Sequence, residues 1–275
     1  MTTAADHDPD DGTHHGTVNG TVGLDAGSRS FLLALADDEH MIGARHTAWI
    51  GLGPFLEEDL AFCSIAQDEL GHSIGLYELL LRDAGRDPTT ELDAFALLRP
   101  PAEYRSSHLA EVECSDWADS LVRHWLYDRA ERHRWSALLE SSHPGIAALA
   151  ARASAEERFH LDHAERFMVR VAQAEPIAAA VDRLLPLAVA AWWSVPGEDA
   201  ALAAGVAAVS SPELAARWEA EIRDDAARWG VALTWPDCAQ SAVLDHIDRT
   251  VRSDGFDTFH AGLTAVLSLE PSATW

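Results

Sequence analysis

Glu69-Leu70-Gly71-His72 and Glu157-Arg158-Phe159-His160 are two copies of one pattern, Glu-x-x-His, and each falls on the return arm of a helical hairpin. The outgoing arm of each hairpin carries a further carboxylate, Glu39 in the first and Asp128 in the second. The midpoint between Glu39 and Glu69 is Pro54, inside the breaker run Gly51-Leu52-Gly53-Pro54. That between Asp128 and Glu157 falls between Ser142 and His143, inside Ser141-Ser142-His143-Pro144-Gly145. In an antiparallel helix pair, residues equidistant from the turn face each other, here roughly 20 Å from it at about 1.5 Å per residue. Four carboxylates and two imidazoles are therefore expected to converge on one slice of a four-helix bundle.

Side chains three apart on a helix are separated by about 60° around its axis, so the Glu and His of each motif reach toward one face. Such a donor set suits a pair of iron or manganese ions. It is too rich in oxygen for a structural zinc site and too rich in nitrogen for calcium. Glu69 and Glu157 are the expected bridging carboxylates, His72 and His160 the terminal nitrogens, and Glu39 and Asp128 the terminal carboxylates. One Glu-x-x-His alone arises by chance in many helices; the weight lies in two copies at matched heights. Glu131, three residues beyond Asp128, presents to the same face and competes for its role. Asp37 and Asp38 read as solvated neighbours of Glu39. His40, His46, His124, His133 and His163 read as surface groups or as partners behind the ligands, His46 and His124 foremost. Trp49, Trp125 and Trp135 read as packing.

Working outward, the first helix is expected over residues 29–52, with Leu32, Leu35, Ile42 and Ile50 on the face that carries Glu39. The second spans 55–84, with Glu57, Glu58 and Asp59 well placed in its first turn. Its inner face is Phe62, Ile65, Glu69, His72, Leu76 and Leu79. Pro88, Pro100 and Pro101 then punctuate a long crossover, 86–114. The second hairpin follows, with Asp116 able to cap a helix that runs to about residue 140 and a partner over 145–173. Further helices are expected over 176–194, over 211–229 behind Ser211-Pro212-Glu213, and over 257–267. No stretch alternates with period two, so the chain reads as all-α. Residues 1–27, rich in Asp, Gly, Thr and His, read as a disordered tail that includes His14 and His15, and 28–275 as one helical domain.

Composition narrows the function classes. A formal charge of -25 across 275 residues argues against a nucleic-acid groove or an anionic membrane surface as partner. All 20 basic residues are arginine. Three cysteines, Cys63, Cys114 and Cys238, are odd in number and widely spaced, which fits a reducing compartment, the cytoplasm by default. No secretory signal is visible, and the most apolar stretch, 177–195, is broken by Asp182, Arg183 and Pro186, so it reads as a buried helix.

These residues resemble the phenylacetate-catabolism family of ferritin-like proteins, which holds the A and C subunits of a multicomponent phenylacetyl-CoA epoxidase. The resemblance runs from about Phe31 to Trp275. It is carried by Leu35-Ala36-Asp37-Asp38-Glu39, Leu56-Glu57-Glu58-Asp59-Leu60-Ala61, Gln67-Asp68-Glu69-Leu70-Gly71-His72, Trp117-Ala118-Asp119-Ser120, Tyr127-Asp128 and Glu156-Glu157-Arg158-Phe159-His160. The second of these runs, the length and the ending look like the C-type member. The resemblance implies a ferritin-like four-helix bundle with additional C-terminal helices and a role as structural partner of a catalytic A-type subunit. That A-type subunit would use a di-iron centre to insert oxygen into the ring of an aryl-CoA thioester, with electrons from a flavin and iron-sulfur reductase. In one respect the chain departs from the C-type pattern, because Glu39, Glu69, His72, Asp128, Glu157 and His160 match the A-type ligand positions one by one. Three readings follow: a C-type subunit that supports a catalytic partner, with or without metal of its own, a catalytic di-iron oxygenase in its own right, and a non-enzymatic metal-binding bundle.

Overall fold

A computed structural model describes residues 23–236 and 248–270. The tail as far as residue 22, with His14 and His15, lies outside them, as do Cys238 and Trp275. The described residues form ten α-helices and no strand, so the all-α expectation holds. In chain order they are α1 (Ala26–Thr47), α2 (Leu56–Asp83), α3 (Pro88–Leu97), α4 (His108–Glu111), α5 (Trp117–Leu138), α6 (Pro144–Val171), α7 (Glu175–Ala190), α8 (Glu198–Ala203), α9 (Ser211–Trp229) and α10 (Phe256–Leu269).

The hairpins α1/α2 and α5/α6 are the four-helix bundle, with α2 packed on α6 to join them. α7 and α9 cover α5, and α8 packs on α1. Side-chain caps set two of the starts. Asp25 accepts from the Ser28 backbone N–H at 2.9 Å, and Asp116 accepts from that of Asp119 at 2.9 Å, as its position predicted. The α1 boundary differs from expectation at both ends. It begins three residues earlier, behind Asp25, and stops at Thr47 because the chain turns before Gly51, whose φ of 83° belongs to the left-handed region. Ile50 consequently lies outside the helix and is exposed, and does not extend the inner face. At α9 the N-cap is Ser210, and Ser211 is already the first helical residue.

The apolar core is in two parts. One gathers Leu32, Leu35, Leu76, Leu80, Trp135 and Ile146 at the end of the bundle where α1 begins. The other gathers Met41, Ile42, Leu121, Trp125, Leu126 and Met168 with α7 and α9. In the sequence Glu39 stands between Leu35 and Ile42, and Glu131 between Leu126 and Trp135. The polar slice is therefore bounded by hydrocarbon on both sides, where an unpaired charge is costly.

Asp37 and Asp38 are not solvated. Both are completely buried, because α1 is covered by the crossover and by residues near the C-terminus. Asp37 accepts from the Tyr77 hydroxyl at 2.6 Å, the Arg105 backbone N–H at 2.6 Å and the Arg99 guanidinium. Asp38 takes Arg249 at 2.8 Å, Arg134 at 3.2 Å and the Ser107 backbone N–H at 2.5 Å. Burial alone would raise the Asp38 carboxyl, but the Arg249 and Arg134 charges outweigh it and hold it below its ordinary value. Three consecutive acids on α1 thus have three separate destinations, and only Glu39 points to the middle of the bundle.

Candidate metal centre

Glu39 comes from α1, Glu69 and His72 from α2, Glu131 from α5, and Glu157 and His160 from α6; none of these side chains has any exposure. Their donor atoms fall into two groups, each with all atoms within 4.8 Å of one another: Glu39, Glu69, His72 and Glu131, and Glu69, Glu157 and His160. Glu69 belongs to both. Of the six residues singled out from the sequence, five are gathered here. The sixth, Asp128, lies outside both groups, with its Oδ2 2.7 Å from Nδ1 of His124. Glu131, one helical turn on, stands in the first group instead.

The two imidazoles are arranged alike. Nδ1 of His72 faces inward, 3.3 Å from Glu39 and 3.7 Å from Glu69, while its Nε2 lies 2.7 Å from Glu156 on the opposite hairpin. Nδ1 of His160 lies 3.2 Å from Glu157 and 3.5 Å from Glu69, and its Nε2 is 3.3 Å from Asp68, again across the bundle. Each Glu-x-x-His is thus preceded by an acid that reaches over to the other motif's histidine. A carboxylate on Nε2 fixes the ring and leaves Nδ1 directed at the centre, as behind metal-bound histidines. Asp68 and Glu156 were not singled out from the sequence. The signal was present in it, as an acid immediately before each Glu-x-x-His.

Whether these residues fit a cation pair can be judged from their unmet bonding. Glu39 Oε1 and both carboxylate oxygens of Glu69, Asp128, Glu131 and Glu157 are buried without a hydrogen-bond partner, and so is Nδ1 of His160. Of the inward contacts, only that of His72 Nδ1 with Glu39 Oε2, at 3.3 Å, is aligned as a hydrogen bond; the others are close without being so. Among the described residues no arginine forms an ion pair with any of these carboxylates, and the positive groups paired with Glu39, Glu69 and Glu157 are the two imidazoles. Burial, reinforced by the charge of Glu69, raises the Glu39 carboxyl to about 8, and burial raises Glu157 to about 7. Asp128 and Glu131 are pushed well above their ordinary values by burial first and by neighbouring carboxylates second. Glu69 goes the other way, because the imidazoles of His160 and His72, 3.5 and 3.7 Å away, outweigh its burial. His72 is raised to about 11, since Glu39 and Glu69 overcome the cost of burying its charge. Four carboxyls that burial drives to keep their protons, with unpartnered oxygens in a dry interior, are what cations would relieve by taking the protons' place, so the donor set fits.

Behind Asp128 runs a buried line of polar contacts. His124 Nε2 lies 3.0 Å from His163 Nδ1, whose Nε2 is 3.2 Å from Glu58 near the start of α2. His46 packs against Phe62 and His124 with no partner for either ring nitrogen. His40 and His133 are buried too, so none of the five extra histidines is a surface group. Trp125 and Trp135 are wholly buried and Trp49 is half-buried; the Trp135 ring sits 5.2 Å from that of His72.

Fold and site together define an all-helical bundle protein of the ferritin-like type with a carboxylate- and histidine-lined interior. The sequence profile of the phenylacetic acid catabolic protein family matches residues 25–248, and the chain belongs to that family. Among curated proteins it is similar to the C-type subunit of 1,2-phenylacetyl-CoA epoxidase from Escherichia coli (strain K12), with 27% identity over 200 residues, 70% of this chain and 78% of the relative. No helix among the described residues is long and apolar enough to cross a membrane.

Proposed function

We propose that this chain is the C-type subunit of a multicomponent aryl-CoA ring epoxidase in phenylacetate catabolism, acting beside a catalytic A-type subunit and itself holding a metal pair. The similarity to an epoxidase subunit of C type, across 78% of that relative's length, supports the subunit role. The observation that carries the metal reading is the set of buried carboxylates whose oxygens lack partners. Iron, with manganese as the alternative, suits these donors. Glu39, His72 and Glu131 would hold one ion and Glu157 and His160 the other, with Glu69 shared and Asp128 one turn before Glu131 on α5.

A di-iron pair bound there would supply dioxygen activation. The chain's own part is binding and positioning. Asp68 and Glu156 accept from the outward Nε2 of each histidine and hold the rings. The Leu35, Leu76 and Trp135 side of the core and the Ile42 and Leu126 side exclude water. In the complex, reducing equivalents would come from a flavin and iron-sulfur reductase, with an aryl-CoA thioester as substrate and the cytoplasm as the setting.

The test is metal analysis of the purified chain together with co-purification against an A-type chain. Two iron ions per chain and a stable complex are expected. A chain that takes up no iron in anaerobic reconstitution would remove the metal reading, and one that ignores every A-type chain would remove the subunit reading. The completeness of the donor set also favours a second reading, a di-iron oxygenase in its own right. That reading requires substrate-dependent oxygen consumption by this chain with the reductase alone.

A further inference from the structure

The connection between α1 and α2 presents hydrocarbon to solvent. Ile50, Leu52, Phe55, Leu56 and Leu60 are 42%, 66%, 63%, 69% and 61% exposed, five large apolar side chains within eleven residues. Leu56 and Leu60, one helical turn apart, share the outer face of α2, while Phe62 and Ile65 face the core. Local rules of helix initiation are broken at the same place. The N-cap of α2 is Phe55, which makes no side-chain capping bond, where a short polar residue is the ordinary choice.

The loop is nevertheless held in one shape. Asp59 Oδ1 accepts from the backbone N–H groups of Gly51 at 3.0 Å and Gly53 at 2.9 Å. A Cβ at Gly53 would lie 2.8 Å from that same oxygen, so the approach needs glycine. Trp49, just before the turn, packs on Trp117 with ring centroids 5.7 Å apart. An exposed apolar surface that is also preorganised is characteristic of a docking site.

Charge indicates what docks. Glu57 and Asp59 border the patch, and the chain as a whole carries -25. In a twofold contact with a second copy, the acidic border of one patch, Glu57 and Asp59, would meet the same acidic border of the other, which is repulsive. A partner with an apolar centre and a rim of lysine or arginine meets no such penalty. The geometry points to the 50–60 segment as the surface on which the A-type subunit docks, Phe55, Leu56 and Leu60 entering an apolar hollow ringed by basic side chains. This rests on the proposed role as a C-type subunit.

The experiment titrates the full chain with the A-type chain of the same organism and reads affinity and assembly mass. Leu56→Ser with Leu60→Ser in one variant is expected to weaken association by about tenfold or more, as loss of central apolar anchors does. Glu57→Arg should weaken it severalfold, more at low salt. Val266→Ser, on α10 and also exposed, is the control and should leave it unchanged. All these sites are on the surface, so circular dichroism should stay that of the parent. If the double variant binds as tightly as the parent, the docking surface is elsewhere and the subunit role stands. If the parent binds no A-type chain, the subunit role fails and this surface assignment with it. If the parent is a homodimer that the double variant dissociates while A-type binding is untouched, a second copy is the occupant and the assignment is overturned.

Discussion

In the α1/α2 hairpin the outgoing helix supplies buried acids, and the arginines that neutralise them come from elsewhere: Arg99 from the crossover, Arg249 from near the C-terminus and Arg134 from α5. In the α5/α6 hairpin the outgoing helix supplies the arginines. Arg129 reaches Asp225 and Glu165, Arg132 reaches Glu221, and Arg134 reaches Asp38. The return helices show no such opposition, since Asp68-Glu69-x-x-His72 and Glu156-Glu157-x-x-His160 make matching contacts across the bundle. The pseudo-twofold relation therefore holds where a cation pair would be gripped and is lost where the hairpins are braced. Equivalence at the centre is what a pair of like ions would require; the bracing has no such constraint.

The largest expected effect tests that equivalence at its shared member. Glu69 stands in both donor groups and Glu157 in one. Glu69→Ala should abolish binding of both ions, whereas Glu157→Ala should leave one bound weakly, with helical content retained in both. Inductively coupled plasma analysis after reconstitution reads the difference, and equal iron in the two variants would show that Glu69 is not shared.

Next in size is the bracing of α1. Asp38→Ala leaves the buried Arg249 and the largely covered Arg134 opposite an alanine, and removal of one partner from a buried ion pair costs about 3–5 kcal/mol. Urea unfolding should show that loss in full. A decrease under about 1 kcal/mol, as at an exposed pair, would mean that the two arginines find other acceptors, Ala191 O being within reach of both.

That prediction bears on a residue the sequence misled about. The core of the site was legible because hairpin symmetry is a local property: the turn, the spacing and the Glu-x-x-His repeat lie within a few tens of residues of one another. Glu39, Glu69, His72, Glu157 and His160 were brought to one slice by that arithmetic. The destinations of Asp37 and Asp38 depend on Arg99, Arg134 and Arg249, which are distant in the chain, and no periodicity on α1 announces them. Asp128 and Glu131 were inseparable for a different reason. Residues 119–131 of α5 are buried without a break, because α6, α7 and α9 surround it, so burial pattern cannot say which face looks inward.

Outer partners of the histidines offer a finer test of the symmetry. Asp68→Asn and Glu156→Gln remove the charge behind His160 and His72 respectively, and loss of such a partner typically weakens metal binding by about 10–100-fold. Equal losses in competition titrations against a chelator would support true equivalence. A loss confined to Glu156→Gln would rank the shorter contact, 2.7 Å against 3.3 Å, as the one that matters.

The smallest effect lies in the bracing of α5, where Glu221 of α9 takes Arg132 and His133. Partial burial would raise the Glu221 carboxyl, but the His133 imidazole 3.3 Å away and the charge of Arg132 outweigh it and bring it down to about 2. A carboxyl depressed in the folded state contributes stability above its unfolded value of 4.5, and that contribution disappears as pH falls from 4.5 toward 2. The pair is partly exposed, so solvent screening limits it to about 1 kcal/mol. Glu221→Gln should therefore cost about 1 kcal/mol at pH 7 and progressively less on acidification, with parent and variant converging near pH 2. A difference that persists undiminished at pH 3 and below would show that Glu221 braces α5 by packing and not by charge. The two hairpins would then differ more deeply, with buried charge holding one and side-chain contact the other.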